Sequence, residues 1–190
     1  MIVVDIQNDF CPGGALPVKG GDRIIPPLNK VITEFSRSNL PVFFTRDWHP
    51  PDHTSFKARG GPWPPHCVQG TWGAELRPDL NIPPESEVVS KGQKPGFEAY
   101  SGFQGTNLEE RLKELVVDEV FVCGLATDYC VKQTTLDALK SGFKVDVLED
   151  CTMGVNLKPD DSRRALNEVS SKGARLLDSA RVAELLTSEA

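Results

Sequence analysis

Apolar residues in this chain fall into short runs separated by amphipathic stretches, a rhythm that predicts alternating strands and helices. Ile2-Val3-Val4 is β-branched throughout and ends at Asp5; Pro41 to Thr45, Glu87 to Ser90 and Val120 to Cys123 are runs of similar length. Such runs suit strands covered on both faces. After the first, Ile24, Ile25, Leu28, Val31, Ile32 and Phe35 recur at helical spacing, with Asp22 as the expected cap and Pro26 and Pro27 tolerable only in the first turn. Leu108, Leu112 and Leu115 mark a shorter helix. Thr127 or Asp128 is the expected cap of another, which carries Val131, Thr135, Ala138 and Leu139 until Gly142 stops it. Lys144 to Leu148 predicts a fifth strand, Asp160 or Asp161 opens a helix through Lys172, and Ala174 to Leu177 is a sixth strand. A short helix around Ala183 to Leu186 closes the pattern. Strands alternating with helices imply an α/β fold: three α/β/α layers around a six-stranded, mainly parallel, Rossmann-like sheet with right-handed crossovers.

Composition narrows the class. The 190 residues, 39% hydrophobic and without a long apolar run, suit one soluble domain over 1–190. A formal charge of −6, with the Lys and Arg residues scattered, points away from nucleic acid and from a membrane surface and toward a small-molecule partner. Five cysteines without paired spacing suggest a reducing, cytoplasmic setting. There is no GxGxxG or P-loop pattern.

The chemistry-bearing residues follow strand ends. Asp5, Asp47 with His49, Lys91 and Cys130 each lie at or just after one, and ligands of open parallel sheets bind beyond the carboxyl ends of the strands. Cys130, placed in a helix's first turn, meets N–H groups and the positive end of a dipole that favour a thiolate; taken alone it reads first as a small buried hydrophobe, and the rest of the chain reverses that. Asp5 reads as a base that takes the thiol proton, or as a turn residue or capping carboxylate, and Lys91 as the charge that holds Asp5 ionised and favours the Cys130 thiolate, or as a surface lysine. All three histidines fall between positions 49 and 66. Asp47, His49 and His66 suit Zn²⁺, with Fe²⁺ and Mn²⁺ as alternatives, and His53 is a further ligand, a supporting partner or a loop residue.

These residues sit in stretches that together resemble the nicotinamidase/pyrazinamidase family of isochorismatase-like cysteine hydrolases. The stretches are Val4 to Phe10, Arg46 to Pro50, Gly61 to Cys67, Ser90 to Gly92, Tyr100 to Phe103 and Cys123 to Val131. The resemblance implies a single isochorismatase-like domain with a triad of Asp5, Lys91 and Cys130 and a metal held by Asp47, His49 and His66. It also implies ring contacts from Phe10, Trp63, Tyr100 and Ala126, and an oxyanion hole from the backbone N–H groups of Ala126 and Cys130. A cis peptide bond before Ala126 is a further expectation. The implied reaction hydrolyses nicotinamide, or pyrazinamide, through a thioester, in the service of NAD salvage; a homo-oligomer is compatible with it. Two other readings stay open: a related carbamoyl- or ureido-amide hydrolase, whose kind generally lacks the D-x-H…H set, and a non-catalytic metal-binding or redox-sensing protein, which needs neither Lys91 nor an oxyanion turn.

Overall fold

The computed structural model describes residues 1–188 of the chain. Six parallel strands form one sheet: β1 (Ile2–Val4), β2 (Phe43–Asp47), β3 (Glu87–Lys91), β4 (Glu119–Leu125), β5 (Lys144–Met153) and β6 (Arg175–Leu177), in the spatial order β3-β2-β1-β4-β5-β6. The strand order reverses between β1 and β4. A crevice opens there at the carboxyl ends of the strands, the usual ligand position in open α/β sheets.

Strand residues alternate between two apolar layers, as a pleat with both faces covered requires. Val3, Phe44, Phe121 and Cys123 face a layer with α1 (Ile25–Arg37), whose Leu28, Val31, Ile32 and Phe35 supply the helical side, while α5 (Val182–Ser188) packs on α1. Ile2, Val4, Phe43, Val120 and Val122 face the opposite layer, built from α2 (Leu108–Glu114), α3 (Lys132–Lys140) and α4 (Asp161–Ser171).

Several element ends differ from the sequence pattern. Asp22 lies in a 3₁₀ turn, Gly21–Ile24, that runs directly into α1, so the helix begins from a backbone turn with no side-chain cap. The fifth strand is ten residues long rather than five, because a register shift between Val122 and Gly124 lets Thr152 and Met153 pair with Gly124 and Leu125. Thr127 and Asp128 do not cap a helix. Residues Thr127–Val131 form one wide π turn ahead of α3, and the Ala126 carbonyl accepts from the N–H groups of both Tyr129 and Val131. The Thr127 hydroxyl is spent on Thr152, and Asp128 accepts from Val155 N and Asn156 N.

Candidate active site

β1 ends at Val4, and Asp5 turns out of the sheet with φ at +49°, a conformation a short acidic side chain tolerates. β3 carries Lys91 to the same rim, where its backbone carbonyl accepts from Trp48 N. The Lys91 ammonium is fully buried, 2.8 Å from Asp5 Oδ2, 3.5 Å from Cys130 Sγ and 3.3 Å from the Ala99 carbonyl, and it also donates to Asp47 Oδ1. One cation therefore serves two carboxylates and a thiol. Burial alone would drive a proton off Lys91, but Asp47, Asp5 and the sulfur outweigh it and hold the pKa well above the ordinary lysine value.

The same surroundings correct one expectation about Cys130. Burial, the largest influence, pushes the thiol pKa well above its usual value, and Asp5 and Asp47 add to the rise against the pull of Lys91. These surroundings favour the thiol over the thiolate, against the expectation from the turn's dipole. Burial likewise raises the Asp5 carboxyl above the usual carboxylate range, against Lys91 and a hydrogen bond from Thr45. Among the described residues, Asp5 Oδ2 accepts no aligned hydrogen bond, its contact with Lys91 being an ion pair.

Beside Asp5, Lys91 and Cys130, the residues Asp47, His49 and His66 place one ligand atom each within 4.8 Å of one another, all buried. Nδ1 of His49 donates to the Gly92 carbonyl at 2.9 Å, and Nδ1 of His66 donates to the Pro64 carbonyl at 2.8 Å. Both rings thus turn Nε2 toward Asp47 Oδ2, at 3.5 and 3.9 Å. Carbonyl-anchored imidazoles and a carboxylate make a donor set that fits a divalent metal ion with open positions for a ligand. Burial lowers the His66 pKa, which favours the neutral form that ligates. The Asp47 carboxyl is held far below its usual range: burial opposes this, but Lys91 and the two imidazoles prevail.

Long-range pairing brings His66 here. His49 N donates to the Cys67 carbonyl and Gln69 N to the His49 carbonyl, so the chain beyond β2 runs parallel to residues 67–69 of the long loop. Asp9 Oδ2 accepts from Cys67 N at 2.7 Å, and the buried Gln7 amide grips both N and O of Asp47. His53 takes another place. Its ring stacks on His49 with centroids 3.9 Å apart, Nε2 donates to the Phe97 carbonyl and Nδ1 accepts from Ser55 Oγ. Both ring nitrogens are hydrogen-bonded, and its ligand atom groups with His49 and Glu98 rather than with Asp47 and His66.

A cleft of about 430 Å³, open mouth included, lies over both groups. Phe10, Trp63, Tyr100, Ala126, Asp47, His66 and Cys130 line it, as do Leu125 and Tyr129. Trp63 Nε1 donates to Tyr100 Oη at 3.0 Å, and Tyr129 meets Trp63 edge-on at 5.2 Å, so three aromatic rings brace one wall. The Leu125-Ala126 peptide bond is cis, at the turn that presents Cys130.

A family model described as the isochorismatase domain matches residues 1–181. The chain belongs to the isochorismatase family. This isochorismatase-family chain is 41% identical to the nicotinamidase of Escherichia coli (strain K12), with 93% of this chain and 92% of that protein covered. Its fold superposes with a TM-score of 0.90 on the pyrazinamidase of Pyrococcus horikoshii, solved in complex with zinc, at 50% identity over 93% of this chain and 97% of the other. The L. infantum protein solved in complex with nicotinate gives a TM-score of 0.88 at 39% identity, with 94% and 91% covered.

Sequence reasoning missed Thr45, Gln7, Gly92 and Tyr129. Thr45 and Gln7 carried a signal: each is a polar residue beside an apolar run, where a buried group needs a partner. Gly92 carried less. A Cβ there would meet the His49 ring at 2.5 Å, a contact that no local pattern encodes.

Proposed function

We propose that this chain is a metal-dependent cysteine amidase that hydrolyses nicotinamide to nicotinate and ammonia, and that it accepts pyrazinamide. The observation that carries the reading is the meeting of Asp5 and Lys91 with Cys130, which lines a cleft that Asp47 and His66 of the Asp47–His49–His66 cluster also line. The nicotinamidases and pyrazinamidases among its relatives, with a zinc complex and a nicotinate complex in their number, add support. A small, largely apolar cleft suits a single aromatic ring.

The Cys130 sulfur attacks the carboxamide carbon as its proton passes to Asp5, and Lys91, 3.5 Å from the sulfur, steadies the charge that develops there. Backbone N–H groups of Ala126 and Cys130 receive the oxyanion. The C–N bond breaks as Asp5 returns the proton to the leaving nitrogen, and ammonia departs from a thioester. Asp5 then takes a proton from water, which attacks the thioester; the acid leaves and the thiol is restored. Asp47, His49 and His66 would hold the divalent ion, Zn²⁺ in our reading, which supplies a Lewis acid for the ring nitrogen and so orients the substrate. We place the activity in a reducing cytoplasm, in keeping with five free cysteines; no helix among the described residues is long and apolar enough to cross a membrane.

Ammonia release from nicotinamide by the zinc-loaded protein tests the reading. Cys130→Ala is expected to lower kcat at least about a thousandfold, and chelation is expected to abolish turnover until Zn²⁺ is returned. Full activity in Cys130→Ala would end the proposal, and a rate untouched by chelation would favour a carbamoyl-amide hydrolase instead.

A further inference from the structure

Thr45 stands in the middle of β2, fully buried, on the face of the sheet shared with Phe43 and Asp47. A hydroxyl facing an apolar layer needs a partner. Here it donates to Asp5 Oδ1 at 2.7 Å. The same residue holds Asp5 a second time, since Asp5 N donates to the Thr45 carbonyl at 3.1 Å just where the chain leaves β1 with positive φ. Backbone and side chain of Asp5 are therefore both tied to one residue of the neighbouring strand.

The threonine is itself locked. Its Cγ2 lies 2.8 Å from where a Cβ on Gly102 would stand, so the methyl fills the space that glycine leaves, and Gly102 N donates to Thr134 Oγ1 on α3. With the methyl seated there and χ1 stiff by branching, Oγ1 has one direction open, toward Asp5. An aspartate's terminal torsion is otherwise broad and soft. With Oδ1 taken, the oxygen left for proton transfer is Oδ2, which has no aligned donor and sits 2.8 Å from Lys91 Nζ, itself 3.5 Å from the Cys130 sulfur.

We infer that Thr45 is a positioning residue for the amidase reaction: seated against Gly102, its hydroxyl sets the Asp5 carboxylate so that Oδ2 receives the Cys130 proton. The inference builds on the proposed function and adds the residue that aims its base. Thr45 is not one of the residues that line the substrate cleft. Its effect therefore falls on the proton-transfer step and leaves ring binding alone.

The experiment compares Thr45→Val, which trades the hydroxyl for a methyl, with Thr45→Ser, which keeps the hydroxyl, in the zinc-loaded protein. Two rates are read: nicotinamide turnover, and alkylation of Cys130 by iodoacetamide without substrate, located by peptide mass. Thr45→Val is expected to lower kcat about 10- to 100-fold with KM within about twofold, and to slow alkylation to a similar degree, a share of the usual acid–base contribution. Thr45→Ser is expected to stay within about threefold of the parent in both. A Thr45→Val protein with both rates within about threefold of the parent overturns the inference, as does a serine variant as impaired as the valine. Thr45→Ala reports the loss of the hydroxyl should the valine variant not accumulate in folded form. If the parent releases no ammonia from nicotinamide, the substrate assignment fails while alkylation still decides the role of Thr45.

Discussion

Lys91 is where the two halves of the site become one. Its ammonium touches Asp5, the base we propose, and Asp47, a metal ligand we propose, so the two carboxylates share a countercharge in the low-dielectric interior. The sequence put Lys91 and Asp5 at strand ends, and from that a Lys91–Asp5–Cys130 unit was legible. The contact with Asp47 was not, because side-chain reach between neighbouring strands depends on register, and Asp47 pairs directly with Lys91 in β2–β3. The protonation states follow from the same burial. As the proposed base, Asp5 must be ionised to accept the thiol proton, and its pKa is shifted above the usual aspartate value, with burial the leading cause. Lowering the pH protonates it, so kcat/KM is expected to fall on the acid side at a pH higher than an exposed aspartate, near 4, would give. A pH profile for nicotinamide turnover checks this; an acid limb at or below that value would mean that Asp5 is not the base.

β4 and the turn after it show how an element can be read correctly in kind and wrongly in detail. The apolar run and the break at Gly124 were plain in the sequence, and so was a helix after it. The wide turn at Thr127–Val131 was not, because the two residues with capping side chains are drawn away to Thr152, Val155 and Asn156, all supplied by β5 and the chain that follows it. Gly124 does more than interrupt the strand. It sits at the register shift with φ at +109°, and a Cβ there would stand 2.1 Å from the Val4 carbonyl oxygen, on the backbone of the residue before Asp5. Gly124→Ala is therefore expected to cost about 3 kcal/mol, at the upper end of ordinary overpacking, because backbone cannot step aside as a side chain can. Urea unfolding measures it. A loss under about 1 kcal/mol would show that β1 and β4 can separate without penalty.

At the scale of the whole molecule, one sheet separates two apolar layers that share few side chains. Leu28 of α1 is fully buried in one layer, and Leu112 of α2 in the other. Each truncation to alanine is expected to cost about 2–5 kcal/mol. Because the two sites lie on opposite faces, the double variant should equal the sum within about 0.5 kcal/mol, and nicotinamide KM should not move. Denaturant midpoints of the four proteins test this, and strong coupling between the sites would contradict independent layers. Residue order alone determined the alternation of strands and helices, the parallel sheet, and the list of strand-end residues with chemistry to offer, because periodicity, turn residues and polar stops are local properties of the chain. The fold alone decided which of these residues touch: His66 beside His49 and His53 behind it, Lys91 between two carboxylates, Thr45 holding Asp5, and the burial that raises the Cys130 pKa. Each of those depends on strand register, on a loop pinned from afar by Gln7 and Asp9, and on removal from water, and none of these acts until distant segments pack together.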